Sequence, residues 1–237
     1  MKDLFGRAML DYFYGQYPVK IVTETSISDA DEMDIEYMFR DYIQMPIIEQ
    51  NALGLCKGNV LDVGCGAGSH SLFLQNQKNL KVTAIDFSVN AIKTCKLRGV
   101  QHASVSDFFE FSSDEKFDTI LLLMNGTGIC GKIAKINLFL QKLKFLLSKN
   151  GQVLIDSTDI RYMFDRDANN NIIYPFEMEY FGELQFFLSY NNDNEVPFDW
   201  LYLDFEILKV SAAANGFYCE KIIEGDNFEY LARLSLK

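Results

Sequence analysis

The sequence contains few residues of the kinds that bind metal ions or form disulfide frameworks. Its five cysteines are an odd number without a Cys-x-x-Cys pair, and the only histidines are His70 and His102. Disulfide-dependent domains carry dense, even sets of cysteines, and zinc sites need paired ligands at short spacing. We therefore expect reduced cysteines in the core and no bound metal.

Basic residues and long apolar segments are also scarce. Twenty-two Lys and Arg stand against 33 Asp and Glu, which leaves a net charge of −11. Such a surface repels phosphate backbones and anionic lipid, so neither nucleic acid nor a membrane is the expected partner. The longest apolar run, at residues 120–124, cannot span a bilayer, and the N-terminus lacks signal-peptide features. These absences predict a soluble, cytoplasmic protein.

The centre of the chain alternates short apolar runs with helical windows. The runs at residues 60–63, 81–86, 102–105, 117–124 and 152–156 predict strands, and the windows at 69–77, 88–97 and 132–147 predict helices. Strands that are apolar on both faces and alternate with helices indicate a parallel sheet covered on both sides. The predicted fold class is therefore α/β, a doubly wound Rossmann-like sheet.

The flanking segments suggest a lead-in and an insertion. Helical patterns at residues 4–13 and at 35–43, the second after the cap candidates Ser28 and Asp29, predict a helical N-terminal cap over residues 1–57. The core then covers residues 58–237. Within it, residues 158–202 form a predicted insertion, where asparagine-rich turns flank a hairpin of residues 176–180 and 183–190.

Local punctuation supports the remaining boundaries. Ser88 is a candidate N-cap, Gly99 a candidate helix stop, and Gly151 is expected to end the long helix before the fifth strand. A helix over residues 204–214 precedes two runs, 217–223 and 228–236. Glu-Gly-Asp-Asn joins these runs, which predicts an antiparallel pair.

The most informative stretch is Val-Leu-Asp-Val-Gly-Cys-Gly-Ala-Gly at residues 60–68, which runs from a predicted strand into a helix. Gly64 and Gly66 can bring bare backbone against a ligand, and Gly68 can start the helix close to the strand. A dinucleotide turn would read Gly-x-Gly-x-x-Gly, whereas this one reads Gly-x-Gly-x-Gly with Asp62 just upstream. A carboxylate there repels pyrophosphate and suits an ammonium or sulfonium group.

Two acidic residues follow at the ends of the next strands. Asp86 ends the second strand 22 positions after Gly64, where a carboxylate can accept hydrogen bonds from both ribose hydroxyls or can cap the following helix. After the third strand, Asp107 could meet an adenine amino group and Phe108 its face. The alternative reading of that pair is an N-cap followed by a core aromatic residue.

These residues, with Phe-Asp-Thr-Ile-Leu-Leu-Leu-Met-Asn leading to Asn125, resemble the successive motifs of class I S-adenosylmethionine-dependent methyltransferases. The likeness covers about residues 58–157, and the closing pair at 217–236 supports it. It implies a seven-stranded sheet with its last strand antiparallel, S-adenosylmethionine as cofactor, a small-molecule acceptor, and a monomer or homodimer. The implied cofactor-binding residues are Asp62, Gly64, Cys65, Gly66, Gly68, Asp86, Phe87, Asp107, Phe108 and Asn125. The run Met-Asn-Gly-Thr-Gly at 124–128 differs from the signature of family members that methylate amines.

The sequence leaves the acceptor side open. His70, Asp156 and Asp159 are candidate bases, although His70 could be an exposed helix residue and the aspartates could be caps. Arg40 and Arg161 could hold an acceptor carboxylate or close surface ion pairs. Aromatic residues crowd the lead-in and the insertion and could form a pocket wall, a minor core or a dimer contact. They are Tyr12, Phe13, Tyr14, Tyr17, Tyr37, Phe39, Tyr42, Tyr162, Phe164, Tyr174, Phe176, Tyr180, Phe181, Phe186, Phe187, Tyr190, Phe198, Trp200 and Tyr202.

Two other functions remain compatible with the same strand and turn. One is an NAD(P)-dependent oxidoreductase, against which Asp62 argues. The other is a non-catalytic module that binds a cofactor.

Overall fold

The computed structural model describes residues 2–173 and 179–237. Its α-helices are α1 (Leu4–Phe13), α2 (Ile47–Leu55), α3 (Ser69–Asn76), α4 (Val89–Arg98), α5 (Ile136–Leu146) and α6 (Phe205–Ala214). Its strands are β1 (Lys20–Thr25), β2 (Ser28–Asp34), β3 (Asn59–Val63), β4 (Lys81–Asp86), β5 (Ala103–Val105), β6 (Phe117–Leu122), β7 (Leu147–Thr158), β8 (Glu183–Tyr190), β9 (Asp193–Asn194), β10 (Phe198–Leu201), β11 (Phe217–Glu224) and β12 (Glu229–Leu236).

A seven-stranded sheet forms the centre of the molecule, with the order β11-β12-β7-β6-β3-β4-β5. The five strands from β7 to β5 run parallel, while β12 is antiparallel to both of its neighbours, β7 and β11. The predicted α/β class and the antiparallel last strand are confirmed. Because the carboxyl ends of parallel strands share one edge, the turns after β3, β4, β6 and β7 meet there.

Helix ends follow from local chemistry at most of the predicted positions. The Ser88 hydroxyl accepts a hydrogen bond from the Ala91 amide at 2.9 Å, and Gly99 ends α4 with φ of 101°. The stop predicted at Gly151 is wrong, because α5 already ends at Leu146 and Gly151 lies inside β7. A Cβ at Gly151 would lie 2.8 Å from the carbonyl oxygen of Phe117, so glycine allows the two strands to approach closely.

The lead-in and the insertion share a second sheet, which has the order β10-β8-β1-β2 with β9 paired to β8. In it, Val22 of the lead-in pairs with Ser189 of the insertion. The first predicted helix of the lead-in is confirmed as α1. The second is wrong: residues 35–39 and 42–44 are short 3₁₀ turns, and the predicted caps Ser28 and Asp29 lie in β2.

The insertion contains one of its two predicted hairpin strands. Residues 183–190 form β8 as expected, and the left-handed residues Asn191 and Asn192, with φ of 51° and 63°, connect it to β9. Residues 176–178 of the other predicted strand, and the aromatic candidates Tyr174 and Phe176, lie outside the described residues. Glu179 and Tyr180 form a bend rather than a strand.

Helix α1 packs against α4 beside the glycine turn. Its buried residues Leu4, Ala8 and Met9 belong to one apolar cluster with Ala67 and Ala91. The lead-in therefore covers part of the carboxyl edge of the large sheet, and the second sheet extends that cover. Within the described residues, no helix is long and apolar enough to cross a membrane.

Candidate active site

The glycine turn connects β3 to α3 through three left-handed glycines. Gly64, Gly66 and Gly68 have φ of 72°, 53° and 84°, a region that other residues rarely adopt. At Gly68 a Cβ would lie 2.8 Å from Cys95 Sγ, so this glycine allows α3 to start close to α4. Gly64 is exposed, and a Cβ at Gly66 would meet nothing nearer than Met9 Sδ at 3.9 Å. The turn thus presents bare backbone to the crevice.

Asp86 lies at the end of β4 beside this turn. Its Oδ2 accepts a hydrogen bond from the Gly66 amide at 3.0 Å, and its Oδ1 accepts one from Ser88 at 2.9 Å. Burial raises the pKa of Asp86 to about 6, although both amides act to lower it. The carboxylate keeps free lone pairs at the crevice, which fits the two hydroxyls of a ribose. Asp86 therefore does not cap α4, a role that Ser88 fills.

Asp62 lies below the turn and is 2% exposed. Its Oδ2 accepts a hydrogen bond from the Ser71 hydroxyl at 2.5 Å, and burial raises its pKa. Asp62 therefore ties β3 to the first turn of α3 and holds the glycine turn from beneath. Cys65, inside the turn, is also buried, and its sulfur lies 3.6 Å from that of Cys95.

The residues after β4 and β5 divide between crevice and core. Phe87 is 57% exposed beside Asp86, and Asp107 is exposed, with Oδ1 accepting a hydrogen bond from the Phe109 amide at 2.7 Å. The Phe108 ring is 4% exposed and packs against Phe139 in the main core. This burial agrees with the alternative interpretation of Phe108 as a core aromatic residue, and it leaves the ring little surface for stacking on adenine.

The loop after β6 has unusual backbone geometry. Met124 and Asn125 are consecutive non-glycine residues with φ of 64° and 62°. The Asn125 side chain accepts a hydrogen bond from Ser157 at 2.8 Å and donates one to the carbonyl of Leu201 at 3.3 Å. Asn125 therefore connects the edge of the large sheet to the insertion. Strained residues of this kind concentrate at functional sites.

A cavity of about 490 Å³ opens beside this loop, and we call it the edge cavity. The lead-in, the end of β7 and the insertion all contribute to its wall, and β12 closes it on one side. The lining residues are Thr25, Ser28, Tyr37, Pro46, Ile48, Glu49, Met124, Asp156, Thr158, Ile160, Tyr162, Met163, Leu184, Tyr202, Asn227 and Glu229. Cavities of this size take small organic molecules.

Asp156 is the predicted base candidate that reaches this cavity. It is 8% exposed, and burial raises the pKa of its carboxyl to about 6. Asp159 lies outside the cavity lining and caps the next turn, where it pairs with Arg161. Arg161 lines a smaller cleft with Asp204 and Lys221. Neither partner of that ion pair faces the edge cavity.

Glu49 is a cavity residue that sequence reasoning missed. It is 3% exposed, and Arg40 donates hydrogen bonds to its carboxylate while His70 Nε2 lies 2.6 Å from its Oε2. Burial would raise the pKa of Glu49, but the hydrogen bond and charge of His70, with the charge of Arg40, outweigh burial and lower it. His70 is buried in this cluster and is not the exposed helix residue considered above.

No group of three or more His, Cys, Asp or Glu side chains in the described part of the chain has metal-binding geometry. The candidate site consists of two parts, the crevice beside the glycine turn and the edge cavity. The two meet at the loop of residues 124–126.

Comparisons with known proteins agree with this arrangement. Residues 57–183 match a family model described as a methyltransferase domain. A crystal structure of an S-adenosylmethionine-dependent methyltransferase from Bacteroides fragilis, in complex with S-adenosyl-L-homocysteine, is 41% identical. It superposes with a TM-score of 0.91 over 99% of this chain and 95% of that chain. A search of the curated proteins finds no match.

More distant structures share the fold. An S-adenosylmethionine-dependent methyltransferase from Clostridium acetobutylicum is 13% identical, with a TM-score of 0.56 over 82% of this chain and 89% of that one. The CcbJ methyltransferase from Streptomyces caelestis is 11% identical, with a TM-score of 0.58 over 82% and 94%. The family model and the 41% identical structure favour the methyltransferase over the oxidoreductase and the non-catalytic module. The chain belongs to the S-adenosylmethionine-dependent methyltransferases, and S-adenosylmethionine is its cofactor.

Proposed function

We propose that this methyltransferase acts on a small organic acceptor bound in the edge cavity. The observation that carries the proposal is the position of the cavity, which opens beside Met124 at the carboxyl edge where ligands of such sheets bind. The wall mixes aromatic and aliphatic side chains with a few polar groups, as small-molecule sites do. A folded macromolecule would need a larger open surface.

For the cofactor, we propose that Asp86 accepts hydrogen bonds from the ribose and that the backbone at residues 64–68 lies along the methionine part. Asp62 supports the turn from beneath and provides negative charge near the ammonium group. Phe87 and Asp107 lie where the adenine is expected, with Phe108 contributing main chain only. Asn125 lies near the methyl group. The bare backbone at Gly64 and Gly66 supports these assignments.

The chemistry needs alignment more than side-chain nucleophiles. S-adenosylmethionine, when bound, supplies a methyl group that its sulfonium already activates for displacement. Holding two reactants in line is worth on the order of 7–11 kcal/mol of the barrier. The fixed loop at Met124 and Asn125 gives this chain a rigid boundary between cofactor and acceptor. The cavity wall then excludes water and orients the acceptor.

The net charge of −11 and the acidic edge strand β2, with Asp29, Asp31, Glu32 and Asp34, support an acceptor that is not nucleic acid. A monomer or homodimer and a cytoplasmic location stay predictions.

The test places the same large ring inside or outside the edge cavity. Met163 lines the cavity and is 40% exposed, so Met163→Trp narrows it without entering the core. Ile47→Trp puts the same ring at a position that is 54% exposed and outside the lining. Each variant is incubated with a cell extract and with S-adenosylmethionine labelled on its methyl group. The products are then separated by molecular size, and the label is counted in the small-molecule fraction and in the macromolecular fraction. The native chain and Ile47→Trp should label the small-molecule fraction, and Met163→Trp should not. Label confined to protein or nucleic acid would refute the proposal.

A further inference from the structure

We propose that the acceptor carries a protonated amine and that Glu49 is the carboxylate that holds it in the edge cavity. This inference rests on the proposed function, because it names the chemical class of the molecule bound there. It follows from three features of the cavity: a fixed carboxylate, a wall without cations, and two carboxyl groups in different environments.

The Glu49 carboxylate is fixed before any ligand binds. It lies in the first turn of α2, lines the cavity, and is held by Arg40 from the lead-in and by His70 from α3. Two partners on different elements leave it little rotational freedom. A charged group that is already in place need not be ordered when the ligand binds, and so contributes more to affinity.

The rest of the wall favours a cation. Asp156 and Glu229 add two further carboxyl groups, and the ring of Tyr202 provides an aromatic face, whereas one face of the Tyr37 ring is covered by the guanidinium of Arg40. Among the described residues that line the cavity, none is Lys, Arg or His. Burial raises the pKa of the Tyr37 hydroxyl; the charge of Arg40 lowers it, and the charges of Glu49 and Asp156 raise it. Carboxylates and aromatic faces together attract ammonium groups and repel carboxylates and phosphates.

Arg40 does not reverse this balance. It is 7% exposed, lies behind Glu49 outside the lining, and its guanidinium carbon is 3.9 Å from the centroid of the Tyr37 ring. Its charge offsets that of Glu49, but Asp156 and Glu229 have no such basic partner in the wall. Among the described lining residues, the carboxyl groups therefore leave the wall negative on balance, and an acidic acceptor finds no cation there.

The two buried carboxyl groups suit different tasks. Glu49 is held by Arg40 and His70, and its lowered pKa keeps it ionised, which suits an anchor. Asp156 lines the cavity beside Met124, and its pKa of about 6 suits a group that takes up a proton near neutral pH. The ammonium nitrogen gives one proton to Asp156 and then forms a bond to the methyl carbon. The sulfur–methyl bond breaks, its electron pair stays on sulfur, and Asp156 passes the proton to water.

The run Met-Asn-Gly-Thr-Gly at residues 124–128 differs from the signature of family members that methylate amines. Met124 and Asn125 follow β6 in a left-handed backbone, and the Asn125 side chain is already hydrogen-bonded to the Ser157 hydroxyl and to the carbonyl of Leu201. In this chain the lead-in supplies the anchoring carboxylate instead.

The test uses a cation that cannot be methylated. Benzyltrimethylammonium is titrated by calorimetry into the protein saturated with S-adenosylhomocysteine, with 4-phenylbutanol and 4-phenylbutyrate as neutral and anionic counterparts. We expect the cation to bind at least about tenfold more tightly than the anion. S-adenosylhomocysteine binding is measured first, so that a loss of cofactor binding can be distinguished from a loss of cation binding. Equal binding of cation and anion would overturn the inference and leave the methyltransferase function intact.

Two variants assign the effect to Glu49. Glu49→Gln leaves Arg40 without its partner and can impair folding, so a double variant, Arg40→Gln with Glu49→Gln, removes both buried charges together. We expect the double variant to bind the cation about three- to tenfold more weakly and to bind S-adenosylhomocysteine normally. The control is Glu115→Gln, an exposed position paired with Lys81 far from the cavity lining. Unchanged cation binding in the double variant would refute the role of Glu49. If the native enzyme transferred the labelled methyl group to alcohols but not to amines, the proposal that the acceptor carries an amine would be refuted.

Discussion

Asp156 Oδ1 accepts a hydrogen bond from the backbone amide of Gly126 at 2.9 Å, and its Oδ2 accepts one from Met124 at 3.1 Å. These bonds join the end of β7 to the loop after β6, where Met124 and Asn125 both have left-handed backbones. Such residues cost of order 1–3 kcal/mol each and persist only where neighbours hold them. One carboxylate thus fixes the loop and also lines the edge cavity.

Replacing Asp156 should therefore loosen this loop. In Asp156→Ala the amides of Met124 and Gly126 lose a charged acceptor worth about 1.5–3 kcal/mol, so their hydrogen exchange should quicken by about 10- to 100-fold. Mass spectrometry of the peptide that covers them measures the change. Asp118→Ala is the control, because Asp118 accepts a hydrogen bond from the Asn59 amide at the amino end of β6. Equal exchange of the loop amides in native and Asp156→Ala protein would contradict the anchoring role.

Asp86 should control both the affinity for S-adenosylhomocysteine and its dependence on pH. Asp86→Asn removes the charge that strengthens hydrogen bonds from the ribose, so we expect affinity to fall by about tenfold or more at pH 7.5. Calorimetry measures this change. The matched control, Asp118→Asn, should bind normally.

The sign of the pH effect follows from the pKa of about 6 for Asp86 in the free protein. Hydroxyl donors favour the ionised carboxylate, so binding lowers this pKa and releases a proton at pH values near and below 6. Affinity of the native chain should therefore rise between pH 5 and pH 7 and then level off, while that of Asp86→Asn should rise less. The same pH profile in both proteins would place the ribose elsewhere.

The large sheet was predictable because its signals are local. Each strand from β3 to β7 is a short apolar run, and each crossover carries its own cap or glycine, as at Ser88 and Gly99. The prediction of a helix stop at Gly151 was wrong because glycine is common both at helix ends and where two strands pack closely. The sequence alone does not distinguish these two roles, and the close approach of Phe117 becomes visible only in the structure.

The second sheet could not be predicted in the same way. Val22 pairs with Ser189 across most of the chain, and nothing near either residue specifies that partner. The Glu49 cluster could not be predicted for the same reason. Its members Arg40, Glu49 and His70 come from three separate segments, and the sequence around each one gives no sign of the other two. Tertiary packing alone brings their side chains together.

Gly68 should be the glycine least able to accept a side chain in the turn. In Gly68→Ala the new Cβ would lie 2.8 Å from Cys95 Sγ and 2.9 Å from Val100 Cγ2, with φ of 84°. Overpacking and left-handed strain together should lower the free energy of unfolding by about 2–4 kcal/mol. Urea denaturation measures it. Gly54→Ala in α2 is the control, because its Cβ meets nothing within 4 Å and the change should stabilise by about 0.5–1 kcal/mol. Equal stability of the two variants would contradict the packing argument.

Gly128 should hold the single tryptophan of the chain in place. Trp200 packs directly over Gly128, and a Cβ at that glycine would lie only 1.9 Å from Cε2 of the indole. Gly128→Ala must therefore displace the ring toward solvent, at a cost of about 1–3 kcal/mol in the free energy of unfolding. Because all tryptophan emission comes from Trp200, the variant should show a red-shifted spectrum and stronger quenching by acrylamide. Gly54→Ala should leave the emission unchanged. Native-like emission from Gly128→Ala would mean that the loop after Asn125 moves instead of the indole, and faster hydrogen exchange at the amides of residues 126–130 would then be required.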